Sequence, residues 1–279
     1  MRDLRSYDWI VVNSSAGKDS QAMLDVVVCL ARAQGIPLDR IVVVHADLGR
    51  VEWQGTRALA EEHARHYGLR FEVVSRPQGD LLDHVEAKGK WPGFSTRYCT
   101  SDHKRDQVLK LFTRLVAETN ATRPKVRGVK RAQVRILNCI GLRADESRER
   151  AKLPPFCKND KASNGKRAVY DYLPVFRYTV AQVWARIAQA GTRAHEAYAL
   201  GMPRLSCCFC IYAEKPALVL AGTHNRELLA EYVRVERKIG HTFKINLALV
   251  EVQDAVERGV DCGPVEDWDD SACGATRAA

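Results

Sequence analysis

The sequence lacks the features of a membrane protein and of a secreted protein. No apolar run in its 279 residues reaches the length of a transmembrane helix. Its first residues, Met-Arg-Asp-Leu-Arg-Ser, do not form the charged, apolar and small-residue regions of a secretory signal. An internal repeat is also absent, which argues against a repeat architecture. We therefore expect a cytoplasmic protein with no membrane partner.

The composition that is present favours polyanionic partners and metal or redox chemistry. A hydrophobic fraction of 46% over 279 residues suits one large α/β domain or a domain with an appendage. The formal charge of +9 favours a nucleotide or a nucleic acid as partner. Nine cysteines in a chain without secretory features favour metal or redox chemistry over a disulfide framework.

A strand-like run near the start, Trp9–Asn13, is followed by small residues and then by a helix-like stretch that reaches about Ala33. The N–H groups of such a turn and the partial positive charge of the helix N-terminus make an anion site. Gly17 lets a phosphate approach closely. Lys18 adds a cation, and Asp19 could hold Mg²⁺ or cap the helix. An ordinary strand-to-helix turn is the alternative.

This loop is not a Walker P-loop, because the four-residue gap between two glycines is missing. Its sequence, Ser15-Ala16-Gly17-Lys18-Asp19-Ser20, resembles the Ser-Gly-Gly-Lys-Asp-Ser pyrophosphate loop of the adenine nucleotide α-hydrolase superfamily, with Ala16 in place of the first glycine. The resemblance implies that ATP is bound by the loop residues Ser14, Ser15, Ala16, Gly17, Lys18, Asp19 and Ser20.

Strand-like runs alternate with helical patterns along the chain. This alternation predicts an α/β fold with a doubly wound parallel sheet, in which ligands bind beyond the carboxyl ends of the strands. Asp47 and Gly49 follow the second run, where the superfamily often has an adenosine-contacting segment, so both are candidate cofactor contacts. A simple turn former is the alternative for Asp47. The runs after Trp9–Asn13 are Arg40–His45, Arg70–Ser75, Arg135–Arg143 and Ala168–Phe176.

The predicted nucleotide-binding α/β domain covers residues 1–190, and a mostly helical, cysteine-containing C-terminal region covers residues 191–279. Thr179 is predicted to cap a helix. Asn225 and Gly240 are predicted to start and stop another helix, which we expect to pack over the cysteines.

A charged segment, Arg143-Ala-Asp-Glu-Ser-Arg-Glu-Arg150, follows the fourth strand-like run. With the residues before it, it resembles the Gly-Ile-Arg-Ala-Asp-Glu-Ser-x-x-Arg segment of phosphoadenylyl-sulfate reductases and of the sulfate adenylyltransferase small subunit. Arg143 and Arg150 can each fork onto a phosphate, and Glu146 could orient an arginine or a metal-bound water. The predicted catalytic set is Lys18, Asp19, Arg143 and Arg150; a solvated helix start is the alternative for the last two.

Two of the cysteines, Cys207 and Cys210, have the spacing that brings two thiolates to one metal ion or cluster. The run that ends in them resembles the family's His-Pro-x-Tyr-x-x-Gly-x-x-Arg-x-x-Cys-x-x-Cys. One pair supplies half of a four-ligand site. Cys99 and Cys157 are the best distant partners, and Cys208 is the competing neighbour.

The segment around Cys99 resembles the family's Arg-x-Cys-Thr-x-x-x-Lys, which precedes a helix predicted here from about Asp102 to Leu115. Arg97 and Lys104 become candidate anion contacts. Because cluster-bearing relatives place a cysteine pair near the C-terminus and another cysteine near this position, we favour a [4Fe–4S] cluster over Zn²⁺. Unligated buried cysteines are the alternative.

The resemblance covers roughly residues 9–240 and implies attack on the α-phosphate of ATP, with release of pyrophosphate and transfer of AMP to an acceptor oxygen. The basic stretch Arg123–Arg135 favours nucleic acid as acceptor; a solvated loop is the alternative. The leading hypothesis is an ATP pyrophosphatase, dependent on Mg²⁺, that activates DNA for phosphorothioation of the Dnd or Ssp type. A cysteine desulfurase would donate sulfur, beside other modification-complex subunits. A tRNA thiolation enzyme is a close variant.

The rival hypothesis is a reductase of phosphoadenylyl or adenylyl sulfate. That family ends in a Glu-Cys-Gly-(Leu/Ile)-His tail, whereas this chain has Cys273 without the glutamate or the histidine. Lys18 and Asp19 also favour a triphosphate ligand. A third hypothesis is a non-catalytic subunit that senses nucleotide and binds nucleic acid.

Overall fold

The protein is described from a computed structural model, which covers residues 3–124, 128, 131–260 and 265. Two sequence predictions lie outside these residues. One is part of the basic stretch, including Arg127 and Lys130. The other is the C-terminal tail with Cys273.

The strands form one six-stranded sheet in the order β3-β2-β1-β4-β6-β5. Five strands pair in parallel, and β5 joins the edge antiparallel to β6. This arrangement confirms the predicted doubly wound α/β fold. The strands are β1 (Trp9–Asn13), β2 (Ile41–Ala46), β3 (Arg70–Val74), β4 (Val134–Cys139), β5 (Phe156–Lys158) and β6 (Arg167–Tyr172).

Helices connect and follow the strands. They are α1 (Lys18–Ala33), α2 (Thr56–His66), α3 (Leu81–Lys88), the single turn α4 (Tyr98–Thr100), α5 (Asp106–Thr122), α6 (Arg148–Ala151), α7 (Val180–Ala190), α8 (Glu196–Ala199), α9 (Lys215–His224), α10 (Arg226–Ile239) and α11 (Leu249–Glu257). Among the described residues, none of them has the length and apolar character that crossing a membrane requires.

The sheet is covered on both faces because successive side chains of a strand point to opposite sides. In β1, Ile10 and Val12 belong to one buried cluster, which includes residues of α1 and α7. Val11 belongs to another, which includes residues of α5. Continuous apolar strands buried on both faces are typical of parallel sheets.

The chain divides into two compact units that interleave along the sequence. The first unit comprises residues 1–46, 57–74 and 106–194, and the second comprises residues 47–56, 75–105 and 195–279. The C-terminal part of the second unit thus begins close to the predicted boundary at residue 190. Two segments from the N-terminal half also belong to it, because their apolar side chains share a core with helices α9 to α11.

Most predicted element boundaries agree with the structure within a few residues. Thr179 accepts a hydrogen bond from the Gln182 N–H at 3.2 Å, as expected of an N-cap, and Gly240 ends α10 in the left-handed conformation. Asn225 occupies the cap position of α10, but its amide donates to the Ala221 carbonyl instead. The helix predicted from Asp102 begins with a wider π-helical turn, residues 101–105, before α5.

Candidate functional site

The loop between β1 and α1 is held in place by its own hydrogen bonds. The Ser14 N–H donates to the Val44 carbonyl at 2.8 Å, which attaches the loop start to the neighbouring strand. The hydroxyl of Ser20 accepts from the Ser15 N–H at 3.2 Å and donates to the Gly17 carbonyl at 2.9 Å. The two small residues at the ends of the loop therefore close it over the first turn of α1.

Ala16 has a left-handed backbone with φ of 57°, and it is the only non-glycine residue with positive φ among the described residues. An alanine in this region is strained by about 1 kcal/mol or more. The superfamily pattern has glycine at this position, and glycine is the residue that adopts this backbone conformation most easily. No side chain caps the N-terminus of α1 at Gly17 in the described structure.

The predicted catalytic residues at the start of α1 form a buried charge cluster with Arg143. Lys18 is almost fully buried, and its Nζ lies 3.4 Å from Asp19 Oδ2. The Arg143 guanidinium is only 1% exposed and bonds to the carboxylates of Asp19 and Asp145. Burial opposes its charge, but the carboxylates of Asp19, Asp145 and Glu146 outweigh that cost and raise the pKa of Arg143. Arg143 therefore holds Asp19 in place.

Glu146 organises the segment after β4. One of its carboxylate oxygens accepts from the Arg143 N–H at 2.8 Å, and the other lies 2.5 Å from an Arg150 guanidinium nitrogen. The expectation that Glu146 orients an arginine agrees with this contact. Ser147 caps the short helix α6 by accepting from the Arg150 N–H at 3.2 Å. Arg150 as a phosphate contact stays a prediction.

Two residues of the first unit that shape the candidate site were not predicted from the sequence. Gly141 packs against the first turn of α1, where an added Cβ would lie 2.9 Å from the Ser20 nitrogen and 3.0 Å from the Asp19 carbonyl carbon. Asn13 donates to the Asn138 side chain at 2.7 Å and to the Cys139 carbonyl at 2.8 Å, which joins the carboxyl ends of β1 and β4. The signal for Gly141 was its place just before a predicted site residue.

Asp47 and Gly49 belong to the second unit, and their observed role is a tight turn. Asp47 Oδ1 accepts from the Gly49 N–H at 2.8 Å. Gly49 has φ of 78°, and a Cβ there would lie 2.4 Å from the Cβ of Asp80, so glycine is required. These contacts agree with the turn-former alternative for Asp47. Adenosine contacts by the two residues stay a prediction.

Three of the four predicted metal ligands lie in the second unit and pack against one apolar core. They are Cys99, Cys207 and Cys210. Burial is the main effect on the thiols of Cys207 and Cys210, and it raises both pKa values. The positive charge of Lys104 lowers the pKa values of both thiols, whereas the neighbouring cysteines raise them further. The three sulfur atoms therefore interact electrostatically.

Backbone contacts hold the cysteine turn. Cys207 pairs with Glu52 in an isolated antiparallel bridge, and the Cys208 N–H donates to the Val51 carbonyl at 2.9 Å. The Cys210 carbonyl accepts from the Ala213 N–H at 2.9 Å. Burial raises the pKa of Cys208 to about 12, which fits a packed apolar side chain.

The fourth predicted ligand, Cys157, lies in the first unit. It is the middle residue of β5 and is paired with Asp171 of β6. Burial and that carboxylate raise its pKa. As a metal ligand it stays a prediction, which iron analysis of a Cys157→Ser variant tests.

A histidine pair in the second unit was not anticipated from the sequence. His84 Nδ1 and His103 Nε2 are 3.0 Å apart. Burial, together with His84 and Arg76, lowers the pKa of His103 to about 4, so the fully buried imidazole is neutral near pH 7. The pair fixes the π-helical turn that carries Lys104 against α3.

The family is defined by a match over most of the chain. Residues 9–213 match the phosphoadenosine phosphosulfate reductase domain, and the protein belongs to this family. A protein of Escherichia phage 186, described as an uncharacterized 37.8 kDa protein in the gpa 5′ region, is 25% identical over 179 residues, which cover 64% of this chain and 49% of that protein. The chain thus spans about half the length of this curated relative.

Solved structures with similar folds come from several enzymes. Phosphoadenylyl-sulfate reductase from Candida auris, in a phosphate complex, is 14% identical with a TM-score of 0.45 and covers 72% of this chain and 82% of its own. FMN adenylyltransferase from Candida glabrata, with FMN and an ATP analogue, is 15% identical with a TM-score of 0.46. The match covers 72% of this chain and 55% of that enzyme. The U34-tRNA thiolase NcsA from Methanococcus maripaludis, with its [4Fe–4S] cluster, is 15% identical with a TM-score of 0.44. The match covers 95% of this chain and 77% of that enzyme. Likenesses at this level carry no functional conclusion.

Proposed function

We propose that the protein is an ATP pyrophosphatase that adenylates a nucleic-acid oxygen for sulfur incorporation, in the setting of DNA phosphorothioate modification. The observation that carries the proposal is the loop between β1 and α1. It leads into a helix N-terminus with no side-chain cap in the described structure, and it is followed by Lys18 and by Asp19, which Arg143 holds in place. Uncapped N–H groups and a lysine suit the phosphates of a nucleotide.

Cleavage between the α- and β-phosphates mainly requires neutralisation of the departing pyrophosphate and in-line positioning of the acceptor. The partial positive charge of the α1 N-terminus and the Lys18 ammonium supply positive charge for this step. The Asp19 carboxylate already contacts Lys18 and Arg143, so it does not fit the role of a direct Mg²⁺ ligand. Mg²⁺ would enter with the nucleotide, and Asp19 would position Lys18.

The sulfur-handling part of the proposal rests on Cys99, Cys207 and Cys210. Cys99 acts electrostatically on the thiols of both Cys207 and Cys210, and burial raises the pKa values of these two thiols. Thiolates in such surroundings are stabilised by coordination to a cation, so the set fits a [4Fe–4S] cluster or Zn²⁺. A cluster bound there would supply an iron site for sulfur. A cysteine desulfurase would deliver the sulfur as a persulfide.

Product analysis tests the activity. The protein is incubated with ATP and Mg²⁺, with and without single-stranded DNA, duplex DNA or tRNA, and the products are separated. AMP and pyrophosphate are expected, and Ser15→Ala and Asp19→Ala should abolish them. Ser6→Ala and Asp39→Ala, which change exposed residues outside the loop, serve as matched controls. Release of ADP and phosphate would contradict the proposal. Stimulation by tRNA alone would move the acceptor to tRNA.

The family match favours a second candidate, a reductase of phosphoadenylyl or adenylyl sulfate. That reaction transfers electrons from a thiol to the sulfonyl sulfur and releases sulfite without cleaving ATP. Release of sulfite from either adenylylated sulfate in the presence of a dithiol, and its loss in Cys273→Ala, would establish the reductase. Absence of sulfite together with AMP release would eliminate it.

A further inference from the structure

We infer that an aromatic and cationic surface of the second unit, formed by Phe94, Arg97 and Tyr212 (the Phe94 surface), stacks an unpaired base of the nucleic-acid acceptor. The inference rests on the proposed function, since it specifies how that acceptor is held. It concerns residues that no sequence motif assigned to base recognition, and it does not include the basic stretch before β4, in which no aromatic residue occurs.

The geometry of the Phe94 surface suits stacking. Phe94 is 46% exposed, and it is the only aromatic residue among the exposed large hydrophobic residues of the described chain. Its ring centroid lies 5.0 Å from that of Tyr212, with the planes at 69°. This edge contact packs the Phe94 ring against Tyr212, and nearly half of the Phe94 surface stays exposed. Exposed aromatic faces of this kind accept bases of any sequence.

A cation accompanies the two rings. The Arg97 guanidinium carbon lies 5.5 Å from the Tyr212 ring centroid. A guanidinium that stacks on an aromatic ring keeps its N–H groups directed outward, where they can bind a phosphate. A nucleotide of a single strand carries one base and one phosphate. The surface offers an aromatic ring for the base and a cation for the phosphate. An exposed phenylalanine alone would be unremarkable.

The surface adjoins the thiol cluster in the second unit. Arg97 lies two residues before Cys99. A backbone hydrogen bond from Tyr212 reaches the thiol of Cys210 and lowers its pKa against the larger effect of burial. Lys104 and Arg204 act on the same thiol as cations. A strand whose base stacks on Phe94 would therefore have its backbone in cationic surroundings next to the predicted sulfur-handling residues.

Competition between strand types tests the inference with a labelled single-stranded oligonucleotide and its matched duplex. Phe94→Leu should weaken single-strand binding roughly 5- to 150-fold, the range that loss of one stacked base produces. It should change duplex binding less than twofold. Phe94→Trp should bind as the wild type does. Ile245→Ala, which alters another exposed hydrophobic residue of the same unit, is the matched control and should also bind normally.

Salt dependence separates stacking from charge. Phe94→Leu should leave the slope of log affinity against log salt unchanged, whereas Arg97→Gln should reduce it by about 0.7, the value for one phosphate of a single strand. A 2-aminopurine base placed in the oligonucleotide should be quenched by wild type and by Phe94→Trp but not by Phe94→Leu. Thermal unfolding of each variant verifies that it is folded.

The outcomes are distinguishable from failure of the proposed function. Equal affinity of wild type and Phe94→Leu for the single strand, with AMP release intact, would overturn the stacking surface alone. Equal losses for single strand and duplex would also overturn it. A wild-type protein that binds no nucleic acid at any salt concentration would overturn both. Loss of binding to a cysteine desulfurase in Phe94→Leu, with single-strand binding retained, would reassign the surface to a protein partner.

Discussion

Two buried polar clusters of the molecule differ in how their charge is balanced. The charge cluster consists of Lys18, Asp19 and Arg143, and the thiol cluster of the second unit consists of Cys99, Cys207 and Cys210. In the first, the side chains of Lys18 and Arg143 both contact the Asp19 carboxylate within the protein. In the second, burial raises the pKa values of Cys207 and Cys210, so the neutral thiols are favoured. The comparison teaches that the loop region neutralises its charges with its own side chains, whereas the thiol region would change its charge on binding a metal.

The largest effect is expected at the thiol cluster, because its ligands act together. Protein purified without oxygen should contain about four iron atoms per chain, as a [4Fe–4S] cluster requires. Cys99→Ser, Cys207→Ser and Cys210→Ser should each remove most of the iron and the visible absorption. Iron analysis and absorbance spectra measure this.

Cys208→Ser is the matched control for this experiment, because Cys208 is buried between the two predicted ligands and packs as an apolar side chain. It should retain iron. Cys157→Ser decides whether the first unit supplies a fourth ligand. A colourless protein with one zinc ion per chain would replace the cluster by a structural site.

Substitutions in the charge cluster should lower the free energy of unfolding considerably but leave the protein folded. Asp19→Ala removes one carboxylate from the buried Arg143 guanidinium and leaves it the half-exposed Asp145 and the electrostatic effect of Glu146. This loss should lower the free energy of unfolding by about 3 kcal/mol. Arg143→Met should have a similar effect. The double variant should lose at least about 1 kcal/mol less than the sum, because the two residues interact.

Urea denaturation measures these values, and Asp39→Ala, an exposed aspartate of the same unit, should change stability by less than about 0.5 kcal/mol. Strict additivity of Asp19→Ala and Arg143→Met would show that the pair is energetically independent.

The second region should also respond to acid through His103. Its pKa is about 4 in the folded protein and about 6.5 when unfolded. Between these values the unfolded chain binds a proton that the folded chain does not, so stability falls as the pH is lowered from about 6.5 to about 4 and levels off below. His103→Gln should flatten this part of the profile by about 1–3 kcal/mol. His66→Gln, at an exposed histidine, should leave it unchanged.

The smallest effect is expected at Ala16. Ala16→Gly relieves a strained left-handed alanine but adds freedom to the unfolded chain and removes a buried methyl group, so the free energy of unfolding should change by less than about 1 kcal/mol. Ala16→Val should destabilise more strongly, since a β-branched residue is poorly tolerated at positive φ. A destabilisation of several kcal/mol by glycine would show that the methyl group itself packs tightly.

Local patterns in the sequence predicted most of the fold but only part of the candidate site. The strand-like run Trp9–Asn13 coincides with β1, and Thr179 caps its helix as expected. The antiparallel strand β5 was missed because three residues are too short to show a periodicity. Arg143 was expected to bind a phosphate, yet its carboxylate partner Asp19 lies 124 residues away in the chain. Pairings at that separation depend on strand order, which local patterns do not contain.

The interleaving of the two units has a consequence for how the protein is made. The core of the second unit combines Leu48, Val51 and Trp53 with helices that end at Glu257. During synthesis at about 5–20 residues per second, these early apolar side chains wait on the order of ten seconds for their partners. The nascent chain must therefore stay unaggregated with part of a core uncovered, and ribosome-associated chaperones would have their greatest effect on the segments 47–56 and 75–105.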